Sequence, residues 1–240
     1  MPQKRLKQKV NLTKCVHRNN YPLILLKIFH KLLSFYGPRK WWPAKTRFEV
    51  IVGAILTQNV SWSNAKIAVI RLKKTGYLTP QAILKASHKQ IAPLIKTSRF
   101  YNQKTEKLKV FCHYLIDKYG GSLDRMFSQD TDILRQDLLS LKGIGKETAD
   151  SILLYAGNKL SFVVDAYTKR FLERFGILNS QVTYDEIKKF FTDNLPKNIY
   201  TYNEYHALIV HHCYAICKAV PICQKCPIKK FKEKFYCKTA

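Results

Sequence analysis

The chain has 240 residues, 42 of them Lys or Arg and 16 Asp or Glu, a formal net charge of +26. Apolar residues make up 46% and charged residues 24%, which excludes a disordered polybasic tail and leaves room for a buried core beneath a strongly basic surface. No stretch approaches the roughly 18 uninterrupted apolar residues of a membrane span, and the early run from Tyr21 to Phe29 is broken by Lys27 and lacks a small-residue cleavage site. Such a charge favours a polyanion, nucleic acid ahead of an anionic membrane. The chain is expected in the cytoplasm, on the nucleoid if the source is bacterial or archaeal. Its seven cysteines then read as thiols or metal ligands rather than disulfides.

Residues 1–20 carry six Lys or Arg and no carboxylate, the composition of a flexible basic tail. From Pro22 onward the pattern is helical. Leu25, Ile28, Phe29, Leu32 and Leu33 recur at three- and four-residue spacing, and Gly37-Pro38 stops that helix. Trp41-Trp42-Pro43 follows, an aromatic pair that suits a core or a stacking surface equally. Phe48, Ile51, Val52, Ile55 and Leu56 mark the next helix, which runs out in Gln58 and Asn59, two amides at a helix end where Asn is common. Further helices are predicted over 63–74, 80–87, 102–119, 132–140, 146–157, 165–174, 183–194 and 199–217. No alternation of period two persists and no Asn-Gly or Asp-Gly dipeptide occurs, so the class is all-α.

Leu138 to Ala149 reads helix, tight turn, helix. Gly143 and Gly145 flank Ile144, so the backbone can turn sharply and its amides can approach a ligand. The second helix begins near Lys146, and its amino-terminal N–H groups suit a phosphate oxygen. Such a hairpin grips the sugar–phosphate backbone without reading sequence. About twenty residues on, the apolar run Leu160 to Val164 delivers Asp165 to the start of the next helix. An Asp there is a good helix cap, and beside a phosphate-gripping hairpin it is also a candidate catalytic carboxylate.

Near the C-terminus Cys217, Cys223, Cys226 and Cys237 are spaced C-x5-C-x2-C-x10-C. Four thiolates suit a [4Fe–4S] cluster or a tetrahedral zinc, and only Cys223 and Cys226 form the tight pair usual in zinc sites. Cys213, one helical turn before Cys217, is an alternative to Cys237. Six lysines (Lys218, Lys225, Lys229, Lys230, Lys232 and Lys234) surround the thiols and suit phosphates. Cys15 and Cys112 read as bystanders.

In its hairpin Leu141 to Asp150, its Val163-Val164-Asp165 and its terminal cysteines, in that order over roughly residues 22–237, the chain resembles the endonuclease III superfamily of DNA glycosylases, the helix-hairpin-helix/Gly-Pro-Asp group. Trp41-Trp42-Pro43, the segment Phe48 to Asn59 and Phe100-Tyr101-Asn102-Gln103-Lys104 resemble its 3-methyladenine branch. The resemblance implies two helical domains flanking a DNA-binding cleft, with residues 46–157 as a six-helix barrel. Residues 21–45 and 158–240 would form a discontinuous domain ending in a [4Fe–4S] loop. It implies a monomeric base-excision enzyme acting on double-stranded DNA with a damaged base. Asp165 would assist cleavage of the N-glycosidic bond, while Gly143, Gly145 and Lys146 hold the backbone. Gln58, beside Asn59, would fill the gap left by the flipped nucleotide.

An extruded base needs aromatic faces to stack on, which Trp41, Trp42 and Phe48 can offer. Bifunctional members carry, directly before the Thr-Ala pair, a lysine whose amine forms a Schiff base with the sugar. This chain has Glu147 there, facing the same pocket, and a carboxylate cannot form an imine. Lys146 points about 100° away around the helix. A monofunctional glycosylase is expected, with a glycosylase/AP lyase or a non-catalytic DNA-binding protein as the alternatives.

Overall fold

The structure, a computed structural model, describes residues 20–177 and 181–234. The basic segment before Asn20, Cys15 and Cys237 lie outside the described residues. Those described are helical with no strand among them, as the periodicity requires.

The chain divides into two compact units. The first comprises Met1–Arg39, Val164–Lys197 and Glu204–Ala240, the second Lys40–Val163 and Asn198–Asn203. The boundaries read from the sequence, at 45/46 and 157/158, differ because residues 158–163 are tied to the second unit. Ser161 Oγ donates to Asp150 Oδ1 at 2.6 Å, and the Phe162 ring meets Tyr202 edge-on at 5.6 Å.

In the second unit α2 (Arg47–Leu56) is enclosed, with Ile51, Ile55 and Leu56 fully buried. Thr46 caps it by accepting from the Glu49 N–H at 3.1 Å. Around it run α3 (Trp62–Lys74), α4 (Pro80–Lys85), α5 (His88–Ile91), α6 (Tyr101–Tyr119), α7 (Leu123–Ser128), α8 (Thr131–Ser140) and α9 (Lys146–Ser151). The four-residue α5 and six-residue α7 carry too few apolar repeats to show as periodic sequence. Gly120 ends α6 at φ +60°, with its N–H on the Ile116 carbonyl, a conformation that favours glycine. Helix α9 continues as a π-helical turn over Ile152–Ala156, closed by Gly157 N–H on the Ile152 carbonyl at 3.0 Å.

The first unit holds α1 (Tyr21–Tyr36), α10 (Ala166–Arg174), α11 (Tyr184–Asn194) and α12 (Ile199–Ala215), the last from Glu204 on. Helix α1 stops at Gly37, φ +70°. Leu25, Ile28 and Leu32 pack inward with Phe171, Phe191, Tyr205 and Leu208, all 0–1% exposed. Each such side chain contributes about 1.5–3 kcal/mol by leaving water. The Tyr205 hydroxyl donates to the Leu25 carbonyl at 2.9 Å, so its polar atom is not orphaned.

Candidate active site

In the second unit the hairpin joins α8 to α9. Ile144 N–H donates to the Leu141 carbonyl at 3.0 Å and Ile144 is 4% exposed, so it anchors the turn in the core. Gly143 has φ +90°, which a side chain rarely adopts. The two helices are locked below the turn by a buried ion pair. Arg135 of α8 gives Nε and Nη2 to the two carboxylate oxygens of Asp150, at 2.8 and 3.0 Å, with Asp150 fully buried. Charge-assisted bidentate bonds of this kind are short and orientation-specific. Gly145 is exposed at the helix start, with nothing within 4 Å of where its Cβ would stand. Lys146 and Glu147 are exposed at the first turn.

Gln58 reaches this hairpin. Its Nε2 donates to the Gly143 carbonyl at 3.0 Å and to Thr148 Oγ1 at 2.9 Å, and its Oε1 accepts from Lys107 Nζ at 2.5 Å. Asn59 beside it is exposed at φ +54°, a region Asn tolerates. Lys104, one turn before Lys107 on α6, is 1% exposed. Its Nζ donates to the Leu56 carbonyl at 2.9 Å and to the Ser98 carbonyl. Burial, then the charge of Lys107, lowers its pKa to about 8. Lys104 thereby ties the end of α2, just before Gln58, to the turn before Arg99 and Phe100. Those two residues have φ +54° and +43°, and Phe100 stands 60% exposed.

All three tryptophans of the chain gather in the second unit. Trp62 meets Trp41 and Trp42 edge-on, with centroids at 5.2 and 4.9 Å and interplanar angles of 74° and 81°. Tyr155, on the π-helical turn, lies 5.5 Å from Trp42. Gly53 makes room for them: a Cβ there would come within 3.1 Å of Trp42 and 3.2 Å of Trp62. Trp42 Nε1 is buried without a hydrogen-bond partner among the described residues. Trp41 and Trp42 are half-buried, whereas Phe48 belongs to the core at 6% exposure. Trp62, Tyr155 and Lys107 carry no sequence signal that separates them from ordinary helical residues, and Lys104 is marked only as the last residue of the segment beginning at Phe100.

In the first unit Asp165 caps α10. Its Oδ1 accepts from the Thr168 N–H at 2.7 Å and from Thr168 Oγ1 at 2.9 Å, so the capping role is real. Its Oδ2 faces His206 Nε2 of α12 at 3.6 Å. Burial by itself would raise the pKa of this carboxyl; His206 and the Thr168 amide and hydroxyl outweigh it and hold the pKa below the usual range. The side chain is anionic at neutral pH. Nothing in the sequence ranks His206 above its six fellow histidines.

Helix α10 is braced on the end of α12. Arg170 Nη2 donates to the Cys213 carbonyl at 3.1 Å, and Arg174 to the carbonyls of Cys217 (3.1 Å), Lys218 and Ala219 (2.7 Å). Arg174 also reaches Cys217 Sγ at 3.4 Å. Cys226 Sγ lies 3.8 Å from His212 Nε2, and the Tyr36 hydroxyl 2.9 Å from His212 Nδ1. Burial, then Cys226, Cys213 and Cys217, pushes Tyr36 up to about 12. Among the described residues no three His, Cys, Asp or Glu side chains converge as a metal-ligand set. Cys217, Cys223 and Cys226 thus do not form one by themselves as they stand. Cys112 is buried in the second unit, its pKa pushed up to about 12 by burial, an inert thiol.

No helix among the described residues is long and apolar enough to cross a membrane. A model of the HhH-GPD superfamily base excision DNA repair proteins matches residues 52–197. A Methanocaldococcus jannaschii protein named as a DNA repair glycosylase is 49% identical over 209 residues, 87% of this chain and 95% of its own length. Endonuclease III of Sulfolobus acidocaldarius is 32% identical over 190 residues, 78% of this chain and 82% of its own. The crystal structure of the H. pylori 3-methyladenine DNA glycosylase bound to 1,N6-ethenoadenine superposes with a TM-score of 0.69 at 28% identity, covering 80% of this chain and 96% of that one. The protein therefore belongs to the HhH-GPD superfamily of base excision DNA repair proteins, and is a DNA glycosylase of that family.

Proposed function

We propose that this glycosylase is monofunctional: it extrudes an electron-poor damaged purine, an N-alkylated adenine being the type, and hydrolyses its N-glycosidic bond. The observation that carries the proposal is Glu147, exposed on the first turn of α9 where bifunctional relatives carry the amine. Water adds to C1′ as the C1′–N bond breaks, the base keeps the bonding pair, and the water's proton passes to the Asp165 carboxylate or to solvent. A purine already cationic through alkylation leaves neutral, so no strong acid is needed. The Asp165 carboxylate stabilises the cationic sugar or orients the water.

The indoles of Trp41 and Trp42, with Trp62 edge-on to both, supply faces that attract a cationic base by about 0.5–2 kcal/mol. Phe48 supports them from the core and Glu147 faces the base. The name and ligand of the H. pylori relative point to the same substrate class. Gly143, Gly145 and Lys146 hold phosphates, and Gln58, beside Asn59, enters the gap left by the base. Phe100 is an exposed apolar side chain able to part a base step. A [4Fe–4S] cluster on Cys217, Cys223, Cys226 and Cys237 would supply a folded basic loop for backbone binding, with no part in the bond cleavage.

The test uses duplexes carrying 7-methylguanine, 1,N6-ethenoadenine or thymine glycol, treated with borohydride during turnover. The cationic 7-methylguanine should be released ahead of the neutral 1,N6-ethenoadenine, the strand should break only after alkali, and little covalent adduct should form. Efficient trapping that disappears in Lys146→Ala would move the protein to the glycosylase/lyase group.

A further inference from the structure

Filling the gap in the duplex does not account for what Gln58 touches in the protein. Its Nε2 donates to the Gly143 carbonyl and to Thr148 Oγ1, while its Oε1 accepts from Lys107 Nζ. A carbonyl only accepts and an ammonium only donates, so a single amide orientation satisfies both ends. The Lys107 stem is itself seated on the hairpin. A Cβ built on Gly143 would come within 2.6 Å of Lys107 Cγ, 2.7 Å of Cε and 2.9 Å of Cδ. Gly143 therefore lacks a side chain for a second reason besides its positive φ: the space is occupied by Lys107.

We propose that Lys107 is a positioning residue for base extrusion, fixing the place and the amide orientation of Gln58 against the hairpin. The proposal rests on the reading of Gln58 as the residue that enters the gap. A freely rotating glutamine must lose its side-chain rotamers and settle its amide orientation as it enters the duplex. One whose Nε2 is already bonded to the hairpin and whose Oε1 is already bonded to Lys107 of α6 has done so beforehand, which lowers the cost of insertion. The same turn offers its amides to the backbone, so seating the hairpin on phosphates delivers Gln58 at a set distance from it. In this reading the Lys107 ammonium donates to Gln58 and makes no phosphate contact of its own.

The probe is a duplex with one tetrahydrofuran abasic analogue beside a 2-aminopurine, whose fluorescence reports a side chain entering the stack. Affinity is measured over a salt series. Lys107→Met keeps the apolar stem over Gly143 and removes the ammonium; Lys107→Gln serves if the Met variant melts early. Either should weaken binding by about tenfold, near 1.4 kcal/mol, and lower the 2-aminopurine signal at saturation, and Lys107→Arg should restore both. In a Gln58→Ala background, Lys107→Met should add nothing, and the salt slope should stay at the wild-type value. A slope reduced by about one, with losses that add to those of Gln58→Ala, would make Lys107 a phosphate contact and overturn the proposal. Lys107→Met behaving as wild type while Gln58→Ala is impaired would overturn it alone. A silent Gln58→Ala would remove the gap-filling reading and the proposal with it.

Discussion

His206 Nε2 stands 3.6 Å from Asp165 Oδ2, with the two side chains 8% and 14% exposed. The carboxylate is divided between two tasks: Oδ1 is committed to capping α10 through Thr168, and Oδ2 meets the imidazole. One atom holds the helix in place and leaves the other to the imidazole, while the charge on which the proposed chemistry draws is shared by both oxygens.

Asp165→Asn should therefore separate the two tasks. The amide oxygen still accepts from the Thr168 N–H, so the cap is kept, since Asn caps about as well as Asp, and the melting temperature should fall only by what the charge contributed beside His206. Removing the charge should cost about a hundredfold or more in single-turnover excision with DNA affinity retained. Because the native carboxyl titrates below its unfolded value near 3.9, its contribution to stability is present above that pH and is lost as pH falls through the lower native value. Excision should show no acid limb from Asp165 until about pH 4 or below. Wild-type excision by the Asn variant would reduce this residue to a cap.

Lys104→Met should destabilise the protein by about 2–4 kcal/mol in urea unfolding at pH 7, because the Leu56 and Ser98 carbonyls lose a buried donor. The sign of the pH dependence follows from the native pKa of about 8. Between that value and the unfolded 10.5 the unfolded chain holds a proton that the native chain has released, so wild-type stability rises with pH. The neutral amine keeps two N–H donors for the two carbonyls. The gap between wild type and Lys104→Met should thus be wider at pH 10 than at pH 7, other groups cancelling in the comparison. An equal gap at both would mean that Lys104 is not shifted.

Anaerobically purified protein should contain iron and acid-labile sulfide and absorb broadly in the visible. Cys223→Ser should lose the iron and melt at lower temperature, since ligand binding is folding free energy. Cys112→Ala, in the other unit, should keep the iron. Stoichiometric zinc without iron in the wild type would reject the cluster.

The longer helices, though not the short α5 and α7, the stop at Gly37, the glycine turn at Gly143 and the cap at Asp165 were readable from the chain itself. They rest on periodicity, on φ restrictions and on hydrogen bonds that close within a few residues. That Glu147 precedes Thr148 and Ala149 is equally plain in the sequence; that it stands where bifunctional glycosylases carry an amine rests on the resemblance to them. Partners brought together from distant segments were not readable. The bond from Lys107 to Gln58 spans 49 residues. Likewise, His206 reaches Asp165 only because α12 packs beside α10, and Trp62 joins Trp41 and Trp42 only because Gly53 leaves them space. Periodicity marks which face of a helix is buried but not which residue of another helix it meets; the packing of the folded chain decided those pairings.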